Sequence, residues 1–210
     1  MDRIFFLILY GVVISIASNI FLRVIREILI ELELFPKQKT RDLHSLPVPS
    51  LLGLGFSFLL VLSTFFFNEI YAELINYWSF VISFVIINSL GIIDDLKALS
   101  SYKKLILQFL AIFVLLNYND NLVIDNLNFF LGITGIPYPF NLIFTGFIGI
   151  IMINGLNIID GIDGFAAIVS IACFSLFGAV FFMIDNEAIL ILAIAYVAII
   201  IGYVPINVSK

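Results

Sequence analysis

Four polar side chains recur at three-residue intervals where a long apolar run ends: Asn154, Asn157, Asp160 and Asp163, within Met152–Phe165. Residues three apart share one face of a helix. Gly161 and Gly164 follow the two aspartates, weaken the helix and let backbone come close to a ligand. Two amides and two carboxylates at the mouth of a membrane helix are costly unless they hold something. A hydrated divalent cation carrying a phosphate suits them, because such a cation takes hard oxygen ligands and keeps part of its water. The plain alternative is an Asx-rich helix end, since Asp-Gly is a common turn pair. Two Asp-Gly pairs in register with two asparagines, in a chain this apolar, favour the ligand site.

A second cluster, Gly91-Ile92-Ile93-Asp94-Asp95-Leu96-Lys97, ends another apolar run. Adjacent carboxylates repel, so they need a cation or one must stay protonated. Lys97, Lys103 and Lys104 nearby can hold phosphate oxygens. Ordinary juxtamembrane charge is the competing explanation, and Lys103 and Lys104 also serve as topology signals. A third cluster is Arg41-Asp42-Leu43-His44 with Pro47 and Pro49. His44 is the single histidine; among basic neighbours it can help bind an anion, although a lone loop histidine is usually just solvated.

The elements that must position these groups follow from composition. The chain of 210 residues is 62% hydrophobic and 12% charged, against about 25% charged in a soluble domain. Its mean hydropathy is +1.18. Long unbroken apolar runs, rather than alternating ones, call for helices. The expected fold is all-α, a polytopic membrane bundle of about seven spans: Ile4–Leu22, Leu51–Phe67, Tyr77–Ile93, Leu105–Leu116, Phe140–Ile153, Phe165–Ile184 and Ala188–Val204. The first helix reads as retained and runs on through Arg23, Arg26 and Glu27. Asn119–Tyr138 reads as an extramembrane loop with a strand-like patch at Leu122–Ile124. Cys173 is the lone cysteine, reads as a small core residue and supports no disulfide framework. No internal repeat stands out, and residues 1–210 read as one domain.

Placing the N-terminus outside puts nine of the ten basic residues on the inner side, leaving Arg3 outside. The positive-inside rule therefore sets the orientation. It also brings all three polar clusters to the cytoplasmic face. Carboxylates for a metal and cations for phosphates, beside a bilayer, fit phosphoryl transfer between a nucleotide and a lipid phosphate.

These motifs resemble, in order, those of the polyprenyl-phosphate N-acetylhexosamine-1-phosphate transferases, glycosyltransferase family 4. Arg41-x-x-His44 with Pro47-x-Pro49 resembles the first cytoplasmic loop. Gly91-x-x-Asp94-Asp95, then Leu99-Ser100, Lys104-Leu105 and Gln108, resembles the second motif. Asn154-x-x-Asn157-x-x-Asp160-Gly161-x-Asp163-Gly164 resembles the third, in wording closer to the N-acetylglucosaminyl-phosphate branch than to the pentapeptide branch. The resemblance implies transfer of N-acetylhexosamine-1-phosphate from a UDP-sugar to polyprenyl (undecaprenyl) phosphate, with release of UMP. It implies Mg2+, with Mn2+ as an alternative. By resemblance Asp94, Asp95, Asp160 and Asp163 are catalytic, with Asp94, Asp95 and Asp160 as metal ligands. Asn154, Asn157, Lys104, His44 and Arg41 are then substrate-binding. Expected partners are the UDP-N-acetylhexosamine, the polyprenyl phosphate and the cytoplasmic (inner) membrane, with no nucleic acid; a homodimer stays open.

Two departures accompany the resemblance. Pro49 is followed by Ser50-Leu51-Leu52-Gly53 where the family has Pro-Arg-x-Gly-Gly. Ile201–Asn207 resembles the start of a fourth motif, whose Gly-Asp ligand does not follow before Lys210. The expectation is a domain lacking the family's C-terminal helices. Two competing functions remain: a truncated, inactive membrane fragment, and a small transporter. The outer halves of the spans carry no polar stripe, which argues against the transporter.

Overall fold

The computed structural model describes residues 2–32, 52–65, 67, 78–118, 122–127, 132, 134–159 and 164–208. Among them lie seven helices and no strand. They are α1 (Asp2–Glu31), α2 (Leu52–Thr64), α3 (Trp78–Leu96), α4 (Ser101–Asn117), α5 (Phe140–Ile159), α6 (Phe165–Met183) and α7 (Glu187–Val208). Each matches one of the seven expected spans. Five of them, α1, α3, α5, α6 and α7, are long and apolar enough to cross a membrane. At 13 and 17 residues, α2 and α4 fall short of the roughly 20 a perpendicular span needs. Large apolar side chains such as Phe5, Phe113, Phe147 and Leu176 are exposed along these helices, as lipid-facing surfaces require. The chain is a polytopic helical membrane protein.

The helices extend beyond the apolar runs. Helix α3 continues past Ile93 and takes in Asp94 and Asp95. Helix α4 starts at Ser101 and includes Lys103 and Lys104, while α5 runs on to Ile159 and includes Asn154 and Asn157. The backbone ladder does not stop where hydrophobicity does, because charged and amide residues hydrogen-bond in a helix as readily as apolar ones. The described polar groups therefore sit on helix ends rather than in free loops.

The chain divides into two compact units, Met1–Glu73 with Ile159–Lys210, and Leu74–Ile158. In the first, α7 is the hub against which α1, α2 and α6 pack. Its buried core gathers Leu22, Leu29, Leu52, Leu59, Ile199 and Ile206. Helices α1 and α7 run parallel and in step: Arg3 meets Glu187 at 3.0 Å, Gly11 lies against Ile194, and Asn19 Nδ2 donates to the Gly202 carbonyl at 2.7 Å. Gly202 permits the approach, because a Cβ there would overlap Ser18 Oγ and stand 2.5 Å from the Ser15 carbonyl. Helices α6 and α7 form a hairpin whose turn places Asp185 at φ 55° and uses Asn186 Oδ1 to accept from Ile189 N at 3.1 Å. Cys173, expected in the core, is exposed on α6; in a bilayer an outward small apolar side chain costs nothing.

Among the described residues the second unit holds three helices. Helices α3 and α4 form an antiparallel hairpin. Trp78 meets Tyr118 at one end (ring centroids 4.4 Å apart), Ser83 Oγ donates to the Ala111 carbonyl at 2.8 Å, and Asp94 meets Lys104 at the other end. Small Ser79 and Ser83 are buried on α3, which suits close approach between membrane helices. Helix α5 runs antiparallel to α4: Gly149 lies against Ile112, and Asn154 pairs with Gln108. The strand-like patch at Leu122–Ile124 forms no strand. Instead Ile124 N donates to Thr145 Oγ1 at 2.9 Å, and Ile136 N donates to the Asp125 carbonyl at 2.7 Å. Beta-branched residues there are tied down by a side-chain hydroxyl and one backbone bond, without a ladder.

Candidate active site

The antiparallel pairings bring the C-terminal end of α3, the N-terminal end of α4 and the C-terminal end of α5 to the same end of the second unit. Asp94 and Asp95 come from α3, Lys104 from α4, and Asn154 and Asn157 from α5. The first and third of these segments are 60 residues apart in sequence, as Asp94 and Asn154 show.

Asp94 is half-buried, and both its carboxylate oxygens are engaged. Oδ1 accepts from Leu99 N at 2.9 Å, which caps the turn between α3 and α4. Oδ2 accepts from Lys104 Nζ at 2.5 Å. Asp95, also half-buried, follows it in the last turn of α3. Lys104 and Gln108 lie four residues apart and so on one face of α4. Gln108 is 2% exposed. Its Oε1 accepts from Asn154 Nδ2 at 3.0 Å, and its Nε2 donates to Asn154 Oδ1 at 3.5 Å. Asn154 Nδ2 also donates back to the Ile150 carbonyl at 2.9 Å. Asn157, one turn on, is exposed. Two polar pairs, Asp94 with Lys104 and Gln108 with Asn154, thus follow one another along one face of α4 and form a polar seam across three helices.

The seam combines hard carboxylate oxygens, an ammonium and amides at the end of apolar helices. That set can grip an anion and, through the carboxylates, a cation. Among the described residues no three His, Cys, Asp or Glu gather as a metal-binding group. Asp94 and Asp95 are nevertheless a fitting pair for magnesium, which is usually held by one or two carboxylates, waters and substrate phosphates. Of the expected site residues, Asp94 meets Lys104, Asn154 meets Gln108 on the same helix as Lys104, and Asp95 and Asn157 lie on the same helix ends as Asp94 and Asn154. Asp160, Asp163, Arg41 and His44 lie outside the described residues. The pairing role of Gln108 was not foreseen; the available signal was a lone amide within the apolar run Leu105–Leu116, four residues after Lys104.

A family model described as Glycosyl transferase family 4 matches residues 77–210, well over half of the chain. The chain belongs to glycosyl transferase family 4. The match takes in the whole seam, together with Asp160 and Asp163, and begins after Arg41 and His44. Two phospho-N-acetylmuramoyl-pentapeptide-transferases, from two strains of Staphylococcus epidermidis, are each 28% identical over 138 residues. The matched region is 57% of this chain and 41% of each relative, so the chain spans less than half the length of these curated relatives.

Proposed function

We propose that this chain carries the donor-sugar site of a membrane transferase that moves N-acetylhexosamine-1-phosphate from a UDP-sugar to a polyprenyl phosphate. An oxygen of the lipid phosphate bonds to the β-phosphorus of the UDP-sugar. The bond from that phosphorus to the bridging oxygen breaks, and UMP leaves with the electron pair. The product is a lipid-linked sugar pyrophosphate, an early intermediate for cell-wall polymers. The observation that carries the reading is that the Asp94–Lys104 pair and the Gln108–Asn154 pair share helix α4 at one end of the unit, inside the segment matched to the family.

In this reading Lys104 holds diphosphate oxygens and Asn157, exposed at the seam, holds the nucleotide. Arg41 and His44 bind phosphate from the first loop. Asp94, Asp95 and Asp160 would hold magnesium or manganese, which when bound would neutralise charge on the phosphoryl oxygens. Asp163 completes the acidic centre. A phosphate monoester is already anionic at neutral pH, so positioning and charge neutralisation outweigh proton removal. The site faces the cytoplasm of the inner membrane, in line with the distribution of basic residues.

The sequence Asn157-Ile-Ile-Asp160-Gly-Ile-Asp163-Gly supports a simple N-acetylhexosamine donor. The names of the Staphylococcus relatives favour a second reading, a muramoyl-pentapeptide donor. The test is UMP release in membranes containing this chain, polyprenyl phosphate and magnesium. UDP-N-acetylglucosamine and UDP-N-acetylmuramoyl-pentapeptide are supplied separately. Release from the first alone is expected. Release from the pentapeptide donor alone overturns the donor assignment, and release from neither overturns the activity of this chain.

A further inference from the structure

We propose that the Gln108–Asn154 amide pair is a positioning device that sets the register of α5 on α4, and that Asn154 acts through that pair rather than as a donor to substrate phosphate. The inference rests on the transferase reading for the identity of the reaction, but its geometry does not.

Three observations carry it. Gln108 is 2% exposed, and among the described residues its amide pairs with Asn154. Asn154 spends its amide nitrogen on two acceptors, Gln108 Oε1 at 3.0 Å and the Ile150 carbonyl at 2.9 Å. Both N–H bonds are then used, and its Oδ1 is left facing only the long 3.5 Å contact. A phosphate needs donors, so Asn154 has none to give it. Third, the two helices approach closely beside the pair. One to two turns away, α5 presents Gly149 and Gly146 to Ile112 of α4, at 3.0 Å and 3.8 Å from the positions a Cβ would take. A two-point amide contact has a length and a direction that apolar contact lacks, as a single buried asparagine shows in fixing coiled-coil register.

The register matters because α4 and α5 are antiparallel. Asn157 lies three residues beyond Asn154, about 4.5 Å along the axis, and Lys104 lies four residues before Gln108, about 6 Å along it. The pair therefore sets Asn157 level with Lys104 to within about 2 Å. A slip of one turn, about 5.4 Å, would carry Asn157 past Lys104 and away from Asp94.

The experiment uses the full chain in lipid nanodiscs with Cys173→Ala, since Cys173 is the one native cysteine. Spin labels at Lys97→Cys and Ile158→Cys, both exposed positions, report the distance between the ends of α3 and α5. The unsubstituted pair should give a narrow distribution. Gln108→Met and Asn154→Leu should each shift or broaden it by about 5 Å, one helical turn. A purely stabilising role would lower the unfolding temperature and leave the distribution in the cold unchanged. The exchanged pair, Gln108→Asn with Asn154→Gln, has the same atoms and should restore the narrow distribution. If a single variant does not fold, the exchanged pair decides. In turnover, the single variants should lose about 10²-fold in kcat with KM for the UDP-sugar little changed, and the exchange should recover most of it. Unchanged distributions in the single variants, or an exchanged pair no better than they are, overturn the inference. Absence of turnover in the unsubstituted chain overturns the transferase reading instead and leaves the distance measurement to judge the positioning.

Discussion

Replacing Lys104 by methionine should tighten the affinity of the site for a divalent cation while slowing transfer at least tenfold. The ammonium sits on Asp94 Oδ2 at 2.5 Å, with the lysine and aspartate side chains 32% and 23% exposed. A cation held by Asp94 must share that carboxylate with Lys104. At such a half-screened position the effective dielectric is about 20, where two unit charges 4 Å apart interact by about 4 kcal/mol. Water at the exposed third of the lysine, and its freedom to swing away, leave roughly a third of that, about 1.4 kcal/mol or tenfold in affinity. Lys104→Met keeps the stem and removes the charge. Titration with Mn2+, followed by the loss of its free electron paramagnetic signal, should show dissociation about tenfold tighter than for the unsubstituted chain. Lys104→Arg should leave the affinity near the starting value, and Asp94→Asn should weaken it, which ties the signal to this carboxylate. UMP release by Lys104→Met should nevertheless fall by at least tenfold, because the diphosphate loses a charged partner worth about 1.5–3 kcal/mol. An Mn2+ affinity that stays the same or weakens in Lys104→Met would refute the argument that lysine and metal compete for Asp94.

Gly202→Ala forces a Cβ against Ser18 Oγ and 2.5 Å from the Ser15 carbonyl; overpacking of about 1–3 kcal/mol should lower the unfolding midpoint in detergent by about 2–12 °C, and an unchanged midpoint counts against the α1–α7 packing. Gly164 holds φ 72° as it leads into α6, so Gly164→Ala should cost about 1 kcal/mol by the same scan. Asn157→Ala removes an exposed amide and should leave the midpoint unmoved while raising KM for the UDP-sugar about tenfold, the worth of one hydrogen bond to a charged ligand; a normal KM removes Asn157 from the nucleotide site.

Hydrophobicity alone located every described helix, because a bilayer leaves the backbone little choice but to bond internally. It misplaced the ends that matter most. The apolar run stops at Ile93, yet the helix carries Asp94 and Asp95 for another turn; the run Leu105–Leu116 begins four residues after its helix does. Chemistry-bearing residues are the ones a hydropathy boundary leaves outside. The three-residue spacing of Asn154 and Asn157 was legible as one helix, and the acidic pair as its neighbour on the same side. Their link through Gln108 was not, because the partners are 46 residues apart and local patterning holds no trace of which amide will face which. The same limit hid the pairing of Asn19 with Gly202. Cys173 and Leu122–Ile124 misled for a different reason: small apolar residues and β-branched runs carry soluble-protein preferences that lipid and a nearby hydroxyl override.

The parallel contact of α1 with α7 has a consequence for synthesis. Asn19 and its carbonyl partner on Gly202 are separated by 183 residues. At 5–20 residues per second, the helix that receives Asn19 leaves the ribosome about 10–40 s after it. All three helices of the other unit are translated in that interval. Helix α1 can settle against α2 early, but its asparagine must wait in the insertion machinery or the bilayer without the acceptor it meets on α7.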